Sequence, residues 1–219
     1  MFIINVYKDQ YLLSRLLPQI KKHFDKKIVV IGDGVKLDNC CKKETTWFEC
    51  ERIKTEGKKG LWTKRYLEYY LQESDDPFVV KLDPDTCVWR SFTIPDGDIC
   101  GNIGHKYKHP YVKGGCIAIK REAATKMLES KLLEDECYAS FNYERYGKHK
   151  WLHETRSSEL LALQDWIVGD IAYRLNLKLQ EWDEIKILGN DNIKPVPENF
   201  AVTHPHPTNK SFHLLISGQ

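Results

Sequence analysis

The sequence contains no long apolar segment. None of its hydrophobic runs approaches the ~20 residues that a helix needs to span a bilayer. Its start, Met1-Phe2-Ile3-Ile4-Asn5-Val6, is too short and too uncharged for a signal peptide. We therefore expect a soluble, cytoplasmic protein with no membrane span.

The sequence also lacks cysteine motifs, a large net charge and linker segments. The seven Cys include no C-x-x-C pair, which argues against a zinc ribbon and against a complete disulfide framework. The formal net charge is only +2, which argues against bulk binding of nucleic acid. No stretch rich in Pro, Gly or Ser divides the chain, so we expect one domain over residues 1–219.

The beginning of the chain predicts a strand, a helix and a second strand. Phe2–Val6 is the first strand, and the leucines that follow at helical spacing form a helix that Asp9 can cap. The β-branched run Lys27–Ile31 is typical of a buried parallel strand. Asp33 follows this strand between two glycines. An Asp in that position commonly contacts the ribose or base of a nucleotide, but it suits a simple turn equally well.

Two carboxylates follow the next apolar strand. Phe78–Leu82 is β-like, and Pro84 marks the point where the strand ends because proline cannot donate to a ladder. Side chains alternate along a strand, so Asp83 and Asp85 are expected to point the same way. Ligands of open α/β sheets bind at the carboxyl ends of the strands, and paired carboxylates suit a hard divalent cation.

The middle of the chain predicts a basic loop, two helices and a glycine pair. Lys58-Lys59 lies between glycines before a helix that contains Lys64 and Arg65, and such a loop can bring cations and backbone N–H groups near a phosphate. Gly114 and Gly115 precede an apolar run, which allows close approach of the backbone to another molecule. A helix over Arg121–Leu133 is expected next.

The last third contains one strongly periodic helix and one strand with a histidine. The helix covers about residues 159–176 and contains Asp165 among large apolar neighbours. A short strand is expected at Leu177–Trp182. Prolines follow His204 and His206 in the segment Thr203-His204-Pro205-His206-Pro207. Because a residue before proline is disfavoured in a helix, we expect His204 at the end of a strand.

Four ordered motifs resemble those of GT-A-fold nucleotide-sugar glycosyltransferases, within them the Fringe-like and β1,3-galactosyl/N-acetylglucosaminyltransferase group. The order and spacing agree over about residues 60–206, although Gln164 stands where that group usually has Glu and Pro84 replaces its common middle Asp. The matching motifs are Leu61-x-x-Lys64, Lys81-x-Asp83-x-Asp85-Thr86-x-Val88, Tyr111-x-x-Gly114-Gly115 and Asp165-Trp166-Ile167-Val168-Gly169.

The resemblance implies a GT-A-like three-layer α/β/α sandwich with a mostly parallel sheet and a nucleotide-binding βαβ start. It also implies a Mn²⁺ (or Mg²⁺) site made by Asp85 and His204, with Asp83 on the ribose or on the metal through water. His206 is a competitor of His204. The general base implied is Asp165, with Asp170 and Glu159 as rivals. The expected nucleotide-sugar contacts are Asp33, Lys59, Lys64, Asp83, Gly114 and Gly115.

The leading hypothesis is a metal-dependent inverting glycosyltransferase. It would move a hexose or N-acetylhexosamine from a UDP-sugar to a hydroxyl of a glycan, peptide or small molecule. A sugar-nucleotide nucleotidyltransferase is a second hypothesis, although Tyr7-Lys8-Asp9-Gln10 lacks the glycine-rich signature usual after the first strand of that class. A relative that binds nucleotide sugar or glycan without turnover is a third, suggested by Gln164.

Overall fold

The computed structural model of the chain describes residues 1–53, 59–105, 110–134, 163–188 and 200–205. Ten strands and five α-helices lie in these ranges. The strands are β1 Phe2–Val6, β2 Ile28–Asp33, β3 Thr46–Cys50, β4 Phe78–Leu82, β5 Cys87–Val88, β6 Ile99–Gly104, β7 Tyr111–Lys120, β8 Leu179–Glu181, β9 Ile185–Leu188 and β10 Val202–Pro205. The helices are α1 Leu13–His23, α2 Asn39–Lys42, α3 Lys59–Glu73, α4 Arg121–Glu129 and α5 Leu163–Arg174.

Seven strands form a mixed sheet in the order β3-β2-β1-β4-β7-β6-β8. The pairs β1–β2, β2–β3, β1–β4 and β6–β8 are parallel, whereas β7 runs antiparallel to both β4 and β6. The order changes direction at β1, with β2 on one side and β4 on the other. Ligands of open α/β sheets bind at such a switch point, outside the carboxyl ends of the strands.

Both faces of the sheet are covered, so the three-layer prediction is confirmed. The face that includes Ile3 and Val29 packs against α3, α4 and α5. The opposite face includes Ile4 and Val30 and packs against α1 and residues of the small sheet. Successive residues of β1 and β2 alternate between the two cores, and this explains why these strands are apolar throughout.

The predicted βαβ start is present, with one correction at the helix. β1 and β2 are parallel, with Phe2 beside Ile28 and Val6 beside Gly32. Asp9 does not cap α1, because its Oδ1 accepts the backbone N–H of Tyr7 at 2.9 Å. A short 3₁₀ turn, Gln10–Leu12, precedes α1.

The ends of two helices also differ from the sequence-based expectation, while the predicted start of the last helix lies outside the described residues. α4 ends at Glu129, not at Leu133, and a separate 3₁₀ turn covers Leu132–Glu134. Lys131 between them has φ 57°, a left-handed conformation that is common where helices end. The described part of α5 begins at Leu163 and ends at Arg174.

A second sheet of three strands returns the end of the described chain to the main sheet. β10 lies between β5, to which it is antiparallel, and β9, to which it is parallel. Thr203 pairs with Cys87 in this sheet. His204 is therefore brought next to the segment that follows β4. Among the described residues no helix is long and apolar enough to cross a membrane.

Candidate active site

The two predicted carboxylates lie in the turn that leaves β4. The β4–β7 ladder ends with Leu82 beside Cys116. The N–H of Asp83 then donates to the carbonyl of Gly115 at 2.9 Å, and the N–H of Thr86 closes a turn on the carbonyl of Asp83 at 3.0 Å. Asp83 and Asp85 thus follow the strand at the carboxyl edge of the parallel sheet, as the sequence predicts.

His204 meets both carboxylates. Its Nε2 lies 3.0 Å from Oδ1 of Asp85 and 3.4 Å from Oδ2 of Asp83. One ligand atom from each of the three residues lies within 4.8 Å of the others. Within the described ranges this is the one cluster of three such side chains with that geometry. Their exposed fractions are modest, 13% for His204 and Asp85 and 28% for Asp83.

A buried lysine forms an ion pair with one carboxylate of the cluster. The side chain of Lys81 on β4 is only 2% exposed, and its ammonium pairs with Oδ1 of Asp83. The same ammonium lies 5.6 Å from the ring centroid of Trp62 on α3, a cation–π distance. A buried ammonium is stable only when it is paired, so Asp83 and Lys81 depend on each other.

The electrostatics of the cluster favour cations. Burial disfavours the ionised form of Asp83, but Lys81 and His204 outweigh it and hold the pKa of Asp83 well below its usual range. Burial likewise opposes the charge on His204, yet hydrogen bonds to Asp83 and Asp85 raise the pKa of His204 to about 9. The proton on Nε2 of His204 is therefore shared with the two carboxylates, and a metal ion held by these three side chains would have to displace it.

The donor set fits a divalent cation. Carboxylate oxygens with one imidazole suit Mn²⁺, and Mg²⁺ accepts such oxygens together with water and phosphate oxygens. Within the described part of the chain three side chains converge here, which leaves coordination positions for groups of a substrate. The chemistry of the three side chains thus agrees with the predicted ion, whose identity stays a prediction.

Asp33 lies at the same edge, at the end of β2. Its Oδ1 accepts the N–H of Ile53 and a guanidinium N–H of Arg65, each at 2.9 Å. Asp33 pairs with Cys50 in the ladder, and the residue after it, Gly34, has φ 72°, where the chain leaves the strand. The contact between Asp33 and a nucleotide stays a prediction.

The predicted phosphate contacts differ in their surroundings. Lys64 pairs with Glu134 at 3.0 Å and with Glu68 at 3.5 Å, and the Glu134 carboxylate is the main cause of the raised pKa of Lys64. Lys59 is the first residue of α3, and its side chain lies outside the described part of the structure. A phosphate would have to compete with Glu134 for Lys64, and both contacts stay predictions.

The glycine pair lies inside β7, directly before the apolar part of that strand, in agreement with the sequence. Gly114 and Gly115 are the fourth and fifth residues of that strand, and Gly115 has φ 92°. Gly115 contacts the cluster directly, since its carbonyl accepts the N–H of Asp83.

The predicted base, Asp165, lies in the first turn of α5, and its side chain lies outside the described part of the structure. The backbone nevertheless places that turn. A Cβ on Gly169, four residues later, would meet the carbonyl of Pro110 at 2.6 Å and Cα of Tyr111 at 2.7 Å. Because Tyr111 begins β7, which is antiparallel to β4, the first half of α5 lies at the edge of the sheet where β4 ends.

One rival of Asp165 has another partner. Asp170 is buried and pairs with Arg174 at 2.9 Å, one turn later on α5. The second rival, Glu159, and the competing metal ligand, His206, lie outside the described residues.

Asp9 is a nearby acid that none of the sequence motifs assigned to the site. Burial raises the pKa of Asp9, and the charges of Asp83 and Asp85 add to the effect. Its position was visible in the sequence, because Asp9 follows β1, Asp33 ends β2 and Asp83 follows β4. Carboxyl ends of neighbouring parallel strands meet at one edge, so all three acids were candidates for one site.

Comparison with known proteins identifies relatives by fold only. No protein-family model matches the chain, and no curated protein matches its sequence. Among solved structures, the chain is similar to the galactosyltransferase LgtC in complex with donor and acceptor sugar analogues, with a TM-score of 0.52 and 12% identity. It is also similar to an active-site variant of LgtC in which glutamate replaces a glutamine, with a TM-score of 0.53 and 12% identity. Each match covers 99% of this chain and 95% of the other.

The fold is therefore GT-A-like, as the sequence motifs implied. The match extends over nearly the whole of both chains, so it is not confined to the βαβ start that many nucleotide-binding proteins share. At this identity it indicates architecture, and the activity is inferred below from the residues.

Proposed function

We propose that this protein is a metal-dependent glycosyltransferase that moves a sugar from a nucleotide-sugar donor to a hydroxyl acceptor. The observation that supports this best is the convergence of Asp83, Asp85 and His204 at the carboxyl edge of a GT-A-like sheet. Side chains from two segments that are distant in sequence meet there in one cation-binding arrangement. A structural ion pair would need only two of the three.

Asp85 and His204 would hold the ion directly. Their contact of 3.0 Å is the shorter of the two carboxylate–imidazole distances in the cluster. Asp83 is already paired with Lys81, which favours a contact to the ribose or to the metal through water. A bound Mn²⁺ or Mg²⁺ would neutralise the departing diphosphate as a Lewis acid.

The donor would lie across the ends of β1, β2 and β4. Asp33 would face the nucleoside, while Lys59 and Lys64 would approach the diphosphate from the first turns of α3. Gly114 and Gly115 would border the sugar where β7 passes the metal ligands. UDP is the nucleotide we propose, with a hexose or N-acetylhexosamine as the transferred group, in line with the sequence motifs.

For the chemical step we propose single displacement with inversion, as in the Fringe-like group. Asp165 would accept the proton of the acceptor hydroxyl as that oxygen attacks the anomeric carbon. The support is the backbone of α5, whose first half lies at the edge where β4 ends. The acceptor would be a glycan, a peptide or a small molecule.

The direct test is release of UDP from a panel of UDP-sugars with Mn²⁺, with and without EDTA. We expect release that EDTA abolishes and added Mn²⁺ restores. Release of pyrophosphate from a nucleoside triphosphate and a sugar phosphate would favour a nucleotidyltransferase instead. Binding of UDP with Mn²⁺ but no turnover of any donor would favour the non-catalytic relative.

A second test concerns the mechanism. Asp165→Asn should retain binding of UDP with Mn²⁺ and lose transfer, whereas Asp170→Asn should retain both. NMR of the first-formed product gives its anomeric configuration. Retention of configuration, or transfer by Asp165→Asn at the wild-type rate, would contradict the proposed base while leaving the metal site intact.

A further inference from the structure

Gly115 lies between the turn that contains Asp83 and Asp85 and the imidazole of His204. It belongs to β7, while Asp83 and Asp85 follow β4 and His204 belongs to β10. β10 reaches this place through the small sheet, and within the described ranges no strand pairing joins it to β7. The distance between the carboxylates and the imidazole therefore depends on contacts other than ladder hydrogen bonds.

One side of Gly115 is filled by the histidine. A Cβ on Gly115 would lie 2.2 Å from Cγ, 2.6 Å from Cδ2 and 2.7 Å from Cβ of His204. Rotation of the imidazole cannot remove this overlap, because Cβ of His204 is fixed to the backbone of β10. Any side chain at position 115 would push β10 away from the carboxylates. The φ of 92° at Gly115 adds to the requirement for glycine.

The other side of Gly115 fixes the acidic turn. Its carbonyl accepts two hydrogen bonds of 2.9 Å, one from the N–H of Asp83 and one from the buried hydroxyl of Thr86. Asp83 lies two positions before Asp85, and Thr86 lies one position after Asp85. The carbonyl therefore holds both ends of the turn that presents the carboxylates.

We propose that Gly115 is the positioning residue of the metal site: it sets the separation between the acidic turn after β4 and His204. This inference rests on the proposed metal site and assigns to Gly115 a task beyond the donor contact expected from the sequence. Gly115 acts through the ligands and not on the ion. Substitution of Gly115 should therefore resemble removal of a group that holds a metal ligand in place without touching the ion. Such a removal typically costs about 10- to 100-fold in metal affinity.

The test is Mn²⁺ affinity, measured by electron paramagnetic resonance of the free ion, for Gly115→Ala in two backgrounds. In the otherwise native chain we expect affinity to fall about 10- to 100-fold. In a His204→Gly background all three crowding atoms of His204 are absent, so the same substitution should change the remaining affinity by less than about threefold. Equal losses in both backgrounds, or no loss in the native chain, would overturn the proposal.

Gly97→Ala is a matched control. A Cβ there would lie 2.5 Å from Cβ of Gln180, so crowding is similar. Gly97 precedes β6, whose first residue, Ile99, pairs with Ile119, and Ile119 pairs with Val79 at the start of β4. The control thus lies at the opposite edge of the sheet. It should lower Tm and leave Mn²⁺ affinity unchanged; a matching loss of affinity in Gly97→Ala would show a general effect of destabilisation and overturn the proposal.

Thr86→Val serves if Gly115→Ala does not fold. Valine keeps the shape of threonine and removes only the hydrogen bond to the carbonyl of Gly115. A loss of Mn²⁺ affinity of about threefold to tenfold is expected, and an unchanged affinity would count against the proposal. Failure of the wild-type protein to bind Mn²⁺ would instead refute the proposed function itself.

Discussion

Asp33 and Asp83 occupy equivalent places in the fold and have different surroundings. Each follows or ends a buried strand of the same sheet and pairs with a cation, Arg65 for Asp33 and Lys81 for Asp83. The partner of Asp33 is an arginine, which keeps its charge at any ordinary pH. Asp83 lies beside Asp85 and shares with it a histidine that can lose its proton.

This difference shows how one sequence pattern gives two kinds of site. The Asp33–Arg65 pair is complete without a ligand, since one carboxylate meets one permanent cation and a backbone N–H. The cluster around Asp83 contains two carboxylates, one lysine and one titratable imidazole. When the imidazole is neutral, the cluster has an excess negative charge that a divalent cation can balance. Four changes test this contrast, in order of decreasing expected effect.

The largest effect is expected for Asp85→Asn. The amide keeps the shape of the side chain but removes the negative charge that distinguishes this cluster from the Asp33 pair. Loss of a group that only orients a metal ligand lowers affinity by up to about 100-fold. Because Asp85 is proposed to bind the ion itself, Mn²⁺ affinity should fall by more than this. Isothermal titration with Mn²⁺ measures the change, and affinity within threefold of wild type would refute Asp85 as a ligand.

The next effect is a loss of stability in Lys81→Met. Methionine keeps much of the apolar stem of lysine but leaves the carboxylate of Asp83 without its buried partner. Breaking a buried pair in this way costs about 3 kcal/mol. Urea unfolding of the metal-free protein gives the free energy, and Lys64→Met is the control. Because Lys64 is partly exposed, its ion pairs contribute at most about 1 kcal/mol to stability. Equal losses of unfolding free energy in the two variants would contradict a larger contribution from the buried Lys81.

The third effect is a pH dependence caused by His204. Its pKa in the folded protein, about 9, exceeds the value of 6.5 that is usual for a histidine. The charged imidazole therefore stabilises the metal-free protein fully below about pH 6.5, and this stabilisation is lost as the pH rises through about 9. We expect Tm of the metal-free protein to fall over this interval, more than in His204→Gln.

Mn²⁺ should reverse the sign of that dependence. Binding requires neutral imidazole, so affinity should rise toward pH 9 and about one proton should be released per ion near pH 7.5. Calorimetry in buffers of different ionisation enthalpy counts the proton. Zero release with unchanged affinity would show that the metal does not displace the proton of His204.

The smallest effect on the metal is expected for Asp33→Asn. Asparagine removes the charge that meets Arg65 but can still accept the N–H of Ile53. We expect a loss of about 1–2 kcal/mol in unfolding free energy and Mn²⁺ affinity within twofold of wild type. A large loss of Mn²⁺ affinity would erase the contrast between the two acids. Weaker binding of UDP would support the predicted nucleotide contact.

Local patterns predicted the elements that build the site. The apolar runs before Asp33 and Asp83 placed both acids at strand ends, and Pro84 marked the end of β4, as the structure confirms. The same kind of reasoning was wrong about Asp9 as a helix cap and about the end of α4. Capping and helix ends depend on single hydrogen bonds and on one left-handed residue, and periodicity does not report these.

Contacts between distant segments were beyond the reach of such patterns. The glycine pair was expected before an apolar run and close to another molecule, but only the structure shows that it lies within β7, where Gly115 meets His204. Neither the phase of β7 against β4 nor the path of β10 through the small sheet leaves a signal in the residues of either segment. The phosphate contacts of Lys59 and Lys64 and the base Asp165 stay predictions.

The sequence by itself determined which residues end the parallel strands, because burial on both faces requires continuous apolar runs and the first acid after each run lies at the edge. The tertiary structure alone decided what each acid does there. Arg65 from α3 completes Asp33, whereas β10 brings His204 to Asp83 and Asp85 past a glycine that has no side chain to block it. The physical reason is that a carboxylate's role depends on the charges within a few ångströms of it, and for Asp85 the decisive charge comes from a histidine 119 residues away in the chain.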